Sequence, residues 1–184
     1  MSWKFGGLVI KKDFSKNLEG FFELIGRSQQ FSGTIVSFRE ALNVKASQSA
    51  IGSIKQSTLL LNEYLPYDCS FIAGKESAFD KKLASVSNEG ALLAFFLDGT
   101  SGTYGFSFFE SGERKRQWAS TGEEILCNEG DFLPVESAFI AGIENTDDFE
   151  SEEEARIIRV LEEFIEADFS MLVKNNNLNF FLFT

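Results

Sequence analysis

Two short polar pairs recur in this chain with the same neighbours, Asn62-Glu63 and Asn128-Glu129, each just ahead of a Leu-Pro. An amide beside a carboxylate on two matching loops could present ligands to a bound molecule. The same pair also suits a turn, because Asn readily bonds its neighbouring backbone. Carboxylates repeat too: Asp68 with Glu136 after each Leu-Pro, then Glu76 with Glu144. Two carboxylates share acid and base work only at a defined separation in space. Duplicated positions mostly preserve what a fold requires, which favours structural roles for all of them.

Arg114-Lys115-Arg116-Gln117-Trp118 is the one dense basic segment in a chain of formal charge −11. It reads either as an edge strand whose charges discourage edge-to-edge pairing or as a contact patch for an acidic protein partner. In a regular strand Arg114, Arg116 and Trp118 share one side. Asp98-Gly99-Thr100-Ser101-Gly102-Thr103 has the small residues of a phosphate loop, but it lacks the lysine and leads into a strand, so a hairpin loop is expected. Asn145 to Glu150 is acidic without the glycine or ligand order of an EF-hand, and it precedes a helix whose dipole accounts for the acids.

Histidine is absent, which removes Ser-His-Asp and Cys-His arrangements, most zinc sites and the commonest general base near neutral pH. Two cysteines, Cys69 and Cys127, make no disulfide framework and point to a reducing cytosol. The negative charge disfavours nucleic acid and anionic membrane surfaces, and no apolar run is long enough to span a bilayer. No cofactor is implied.

The elements that would position these residues follow from a repeat. Tyr64 to Glu76 aligns without a gap on Phe132 to Glu144, 68 positions later, with seven of thirteen residues identical and both prolines of the chain in register. Such a period signals a duplicated supersecondary unit. It divides the chain into 1–68, 69–136 and a truncated 137–184. Phe5–Ile10 reads as a strand; Leu18, Phe21, Phe22 and Ile25 mark one face of a helix closed by Gly26. Strands follow at 34–38, 48–54 and 57–61.

The second unit opens with a strand at Cys69–Ala73, then a helix carrying Phe79, Leu83 and Val86, capped by Ser77 and Asp80. The wholly apolar run 91–97 suits a strand covered on both faces, and hairpins follow through 103–110 and 114–120. The third unit repeats the opening strand at Ser137–Ala141, then a helix capped by Ser151 and a strand at 178–183. Phe71, Ile72, Phe139, Ile140, Phe95, Leu161 and Ile165 are the expected core.

The fold class is therefore α+β: tandem strand–helix–strand–strand–strand units, the third truncated, with a mixed, mostly antiparallel sheet forming one compact domain. The functional expectation is a small acidic interaction module without catalysis, comparable to inhibitors or immunity proteins. The alternative is a carboxylate-dependent enzyme, with or without Mg²⁺, in a cleft between the repeats.

Overall fold

A computed structural model describes residues 3–45, 47–122, 124–141, 151–175 and 177–184, with Ile140 by its backbone alone. Among these residues nine strands form a single sheet: β1 (Lys4–Ile10), β2 (Phe31–Ser37), β3 (Ser49–Ile54), β4 (Ser57–Leu61), β5 (Leu92–Asp98), β6 (Thr103–Glu110), β7 (Glu113–Thr121), β8 (Glu124–Gly130) and β9 (Asn179–Phe183). Their spatial order is β2-β9-β3-β4-β1-β5-β6-β7-β8. Each neighbouring pair is antiparallel, so the expected mixed sheet is corrected to an antiparallel one. The crossover after β1 does make β2 run in the same direction, but β4, β3 and β9 stand between the two.

Helices cover both faces. Helices α1 (Leu18–Leu24) and α3 (Ala78–Val86), with a 3-10 turn at Leu65–Asp68, lie over one face; α2 (Phe38–Ala41), α5 (Glu152–Ile165) and α6 (Phe169–Lys174) lie over the other. The short α4 (Pro134–Ile140) leads from β8 toward α5. Because both faces are covered, the central strands need apolar residues at successive positions. Val9, Leu93, Phe95, Phe106 and Trp118 join the α5 side, whereas Leu8, Ile10, Leu92, Ala94 and Phe109 join the α1–α3 side. Phe95, Leu161 and Ile165 are buried as expected.

Local signals set the helix ends. Asn17 Oδ1 accepts the Gly20 N–H at 3.0 Å, and Gly26 follows α1 with φ +74°, where a side chain would be strained. Ser77 and Asp80 exchange reciprocal hydrogen bonds at the start of α3. Ser151 caps α5, whose first turn carries Glu152, Glu153 and Glu154.

Two expected strands are absent. Cys69–Ala73 is a loop drawn back on itself, because Asp80 Oδ2 accepts the N–H groups of both Ser70 and Ser77. Beside it, β5 already has β1 and β6 as partners, which leaves no place in the ladder. Ser137–Ala141 falls mostly within α4, where Pro134 opens the helix and Glu136 accepts the Leu133 N–H at 3.0 Å. The core assignments based on those strands change with them: Phe71 and Phe139 are half-buried and Ile72 is exposed, while the side chain of Ile140 lies outside the described residues. The acidic stretch 145–150 also lies outside them.

The two Leu-Pro segments share a context all the same. Each follows a strand, β4 or β8, and each starts a helical turn with proline in its first positions. The first opens a connection across the α1–α3 face toward β5; the second opens the long connection to β9 across the other. Residues 1–68 and 69–136 meet where β1 pairs with β5 along Lys4–Ile10, so the sheet is continuous at the boundary where the enzyme alternative places its cleft.

Candidate functional site

The dense basic segment forms β7, and a bulge decides where its side chains go. Phe108 pairs with Arg116, but Phe109 pairs with Arg114, which leaves Lys115 as the extra residue. An extra residue inverts the alternation. Arg116 and Trp118 accordingly lie on the α5 side and Arg114 on the α3 side, correcting the expectation of a common face.

Arg116 is fully buried. Its Nε and Nη2 donate to the two carboxylate oxygens of Glu136 at 2.9 and 2.8 Å. Nη1 donates to Asn128 Oδ1 at 2.8 Å and to the carbonyls of Gln117 and Glu129, each at 3.0 Å. Phe132 covers the guanidinium with its ring centroid at 4.8 Å. Such a group is tolerable in an apolar layer because its charge is paired and every nitrogen is engaged. Gly130 makes the approach possible: at φ +81°, a Cβ there would stand 2.0 Å from the Lys115 carbonyl oxygen.

On the other face, Arg114 donates to the Lys75 carbonyl at 3.0 Å and reaches Glu129 at 3.5 Å and Asp80 at 3.7 Å. The second Glu129 oxygen accepts the Gly74 N–H. Gln117 Nε2 donates to the Ser70 carbonyl and to Ser107 Oγ, while its Oε1 accepts from Cys127. These bonds tie the Cys69–Glu76 loop and α4 to β7 and β8. Burial, and then the neighbouring Asp80 carboxylate, push the Cys69 thiol's pKa well up; burial does the same for Cys127. Neither is a poised nucleophile.

The first Asn-Glu pair lies far off, at the end of β4. Asn62 Oδ1 accepts the N–H groups of Tyr64 and Leu65, and its amide donates to the Gln48 carbonyl and Ser49 Oγ, so it shapes the entry to the 3-10 turn. Glu63 pairs with Lys4 at 2.9 Å, and together with Asp98 it holds the lysine's pKa above its ordinary value. Asp98 also accepts the N–H groups of Thr100 and Ser101, closing the hairpin loop expected there. The structure therefore separates the two Asn-Glu pairs, and each holds a strand exit in shape.

The outward surface above this polar buttress was not legible from residue types. On β8, Ile125 is 60% and Leu126 42% exposed; Phe132, just beyond, is 49% exposed. A second bulge, between Ala119 and Ser120 on β7, leaves Leu126 as the extra residue of β8. A shallow cavity of about 160 Å³ beside Ile125 is lined by Trp118, Phe139, Glu152, Glu153 and Arg156. Arg156 lies over the Trp118 ring at 4.5 Å, and burial lowers its pKa from the ordinary value. Around the apolar centre stand Glu124, Asp131, Glu152 and Glu153, which have no ion-pair partner among the described residues. The signal available in the sequence was the strand pattern of 124–130, too short to assign a face.

The molecule is thus an antiparallel sheet layered between helices, with an apolar, acid-rimmed edge held by buried ion pairs. The family's profile matches residues 35–160, which contain β3 to β8 and the whole buttress, and the chain belongs to this family of unknown function, DUF6928. No curated protein and no solved structure matches it.

Proposed function

We propose that this protein is a non-catalytic protein-binding module that docks a basic partner on the β8 edge. The supporting observation is the exposure there of Ile125, Leu126 and Phe132 beside four carboxylates that have no ion-pair partner among the described residues. Interfaces commonly place an apolar centre inside a polar rim, and a strongly acidic body steers basic partners toward it. Buried Arg116 and Trp118 serve this surface from below. An acidic partner reading β7 directly loses its support, since the only exposed cation of the stripe, Lys115, pairs with Glu113. The repeated segment belongs to the same reading, as one strand-exit unit used twice, the second copy supplying Phe132 and Glu136.

The test is capture of a partner from the native cell by wild type and by Ile125→Lys/Phe132→Ser, with hydrogen exchange measured on the captured complex. Support requires salt-sensitive binding, loss in the variant and new protection over residues 124–133. Protection elsewhere, or equal capture by both proteins, overturns the assignment of this surface.

A further inference from the structure

The opposite edge of the sheet differs in chemistry. The eleven residues Ser28–Phe38 carry no charge in a chain where 24% of residues do. They include all of β2, whose outer side pairs with no other strand among the described residues. Phe31 is 43% and Ile35 53% exposed, and Phe31 packs beside Phe181 and Phe183, each at 5.7 Å between ring centroids. Folded proteins usually guard such an edge with lysine, proline or an inward charge. Here the guard is a bulge between Phe31 and Ile35, where Gly33 takes φ +80°.

We infer that β2 is a homodimer interface, on which a second copy of this chain pairs antiparallel about a two-fold axis. Charge identifies this occupant. A strand paired antiparallel with its own copy about a two-fold axis sets residue i against j and j against i, so charges of one sign along it are brought together. β2 has none, whereas β8 begins at the exposed Glu124 and has Asp131 just beyond its end, and is self-repelling. A two-fold contact uses the β2 edge of both chains, so assembly closes at two chains and does not run on into a fibre. The Gly33 bulge and the bond from the Ser37 N–H to Glu40 keep the shared ladder short. Much of the contact is therefore between Phe31 and Ile35 side chains.

Salt dependence separates the two edges. Each copy carries −11, so added salt screens repulsion and strengthens self-association, while it weakens docking of a basic partner at β8. Sedimentation equilibrium on the full chain across the micromolar range tests this. The expected result is a mass rising from 20.6 kDa toward twice that value, more readily at high salt. Ile35→Lys should weaken the dimer by more than about tenfold, and Ile125→Lys should leave it unchanged. Ser32→Lys, in the exposed part of the same strand, provides a second variant if Ile35→Lys unfolds. A wild type monomeric throughout the range overturns the inference, as does a dimer insensitive to the β2 charges or lost with Ile125→Lys.

Discussion

The buried Arg116–Glu136 pair makes a prediction whose size can be worked from its contacts. Replacing Glu136 by Leu leaves a guanidinium with no counter-charge at a fully enclosed site, and breaking a buried pair from one side costs about 3–5 kcal/mol. Replacing Arg116 by Met strands the Glu136 carboxylate instead. It also removes the donor from Asn128 Oδ1 and from the carbonyls of Gln117 and Glu129, each costing about 1–3 kcal/mol if nothing replaces it. Against a domain stability of about 5–15 kcal/mol, either change approaches unfolding. The double variant carries no buried charge at the pair and retains only the unpaired acceptors, so its cost should fall well below the sum of the single losses. Urea unfolding followed by tryptophan fluorescence measures all four proteins, and the midpoint is compared at constant slope. High salt should leave the differences in place, because a buried pair is poorly screened. Single losses that add to within about 0.5 kcal/mol would refute a direct interaction.

Four further outcomes follow. Gly130→Ala should destabilise by several kcal/mol, because the new methyl meets a backbone carbonyl that cannot move aside, and thermal melting measures the loss. Glu166 ends α5 in the left-handed region at φ 55°, so Glu166→Gly should stabilise by about 0.5–1 kcal/mol despite losing an exposed contact with Lys11. Both thiols should react with a disulfide reagent only at the rate at which the protein opens, and rapid labelling of the native protein would contradict their burial. At Asp168, the Met171 N–H and then the Ser170 hydroxyl hold the folded carboxyl below its ordinary value. This stability is present above the unfolded pKa and is lost as pH falls through the folded one, so Asp168→Asn should flatten the acid limb of the stability curve below about pH 4.

The sequence exposed most of the sheet because periodicity and capping are local. The run Leu92–Leu97, longer and apolar throughout, suited a doubly covered strand, and Ser77 with Asp80 announced a helix start. The two misread strands share a cause. Phe-Ile-Ala-Gly is apolar but too short to carry a period, and at that length strand and helix are indistinguishable without knowing whether the sheet has an open place. At 69–73 it had none; at 137–141 the preceding proline and Glu136 had already started a helix. The bulge at Lys115 was equally hidden. It adds one residue to one strand, and nothing in Arg-Lys-Arg-Gln-Trp marks where.

That single inserted residue bears on the proposed function. Were Lys115 paired in a regular ladder, Arg114 and Arg116 would both face α5, with one Glu136 between them, and the Asp80–Glu129 side would lack its cation. With the bulge, one arginine serves each face, and both Asn128 and Glu129 are drawn inward to meet them. The neighbouring β8 positions are then left to display Ile125 and Leu126, since the polar groups of that strand are spent on the buttress. The four carboxylates at the rim have no such ion-pair partner among the described residues. Replacing Arg114 by Met should therefore disturb more than stability. It should leave Asp80 and Glu129 without their cation, loosen the Cys69–Glu76 loop from β7 and β8, and raise hydrogen exchange there, even if the remaining core still folds. Unchanged exchange over residues 69–76 in the folded variant would show that the loop is held without Arg114.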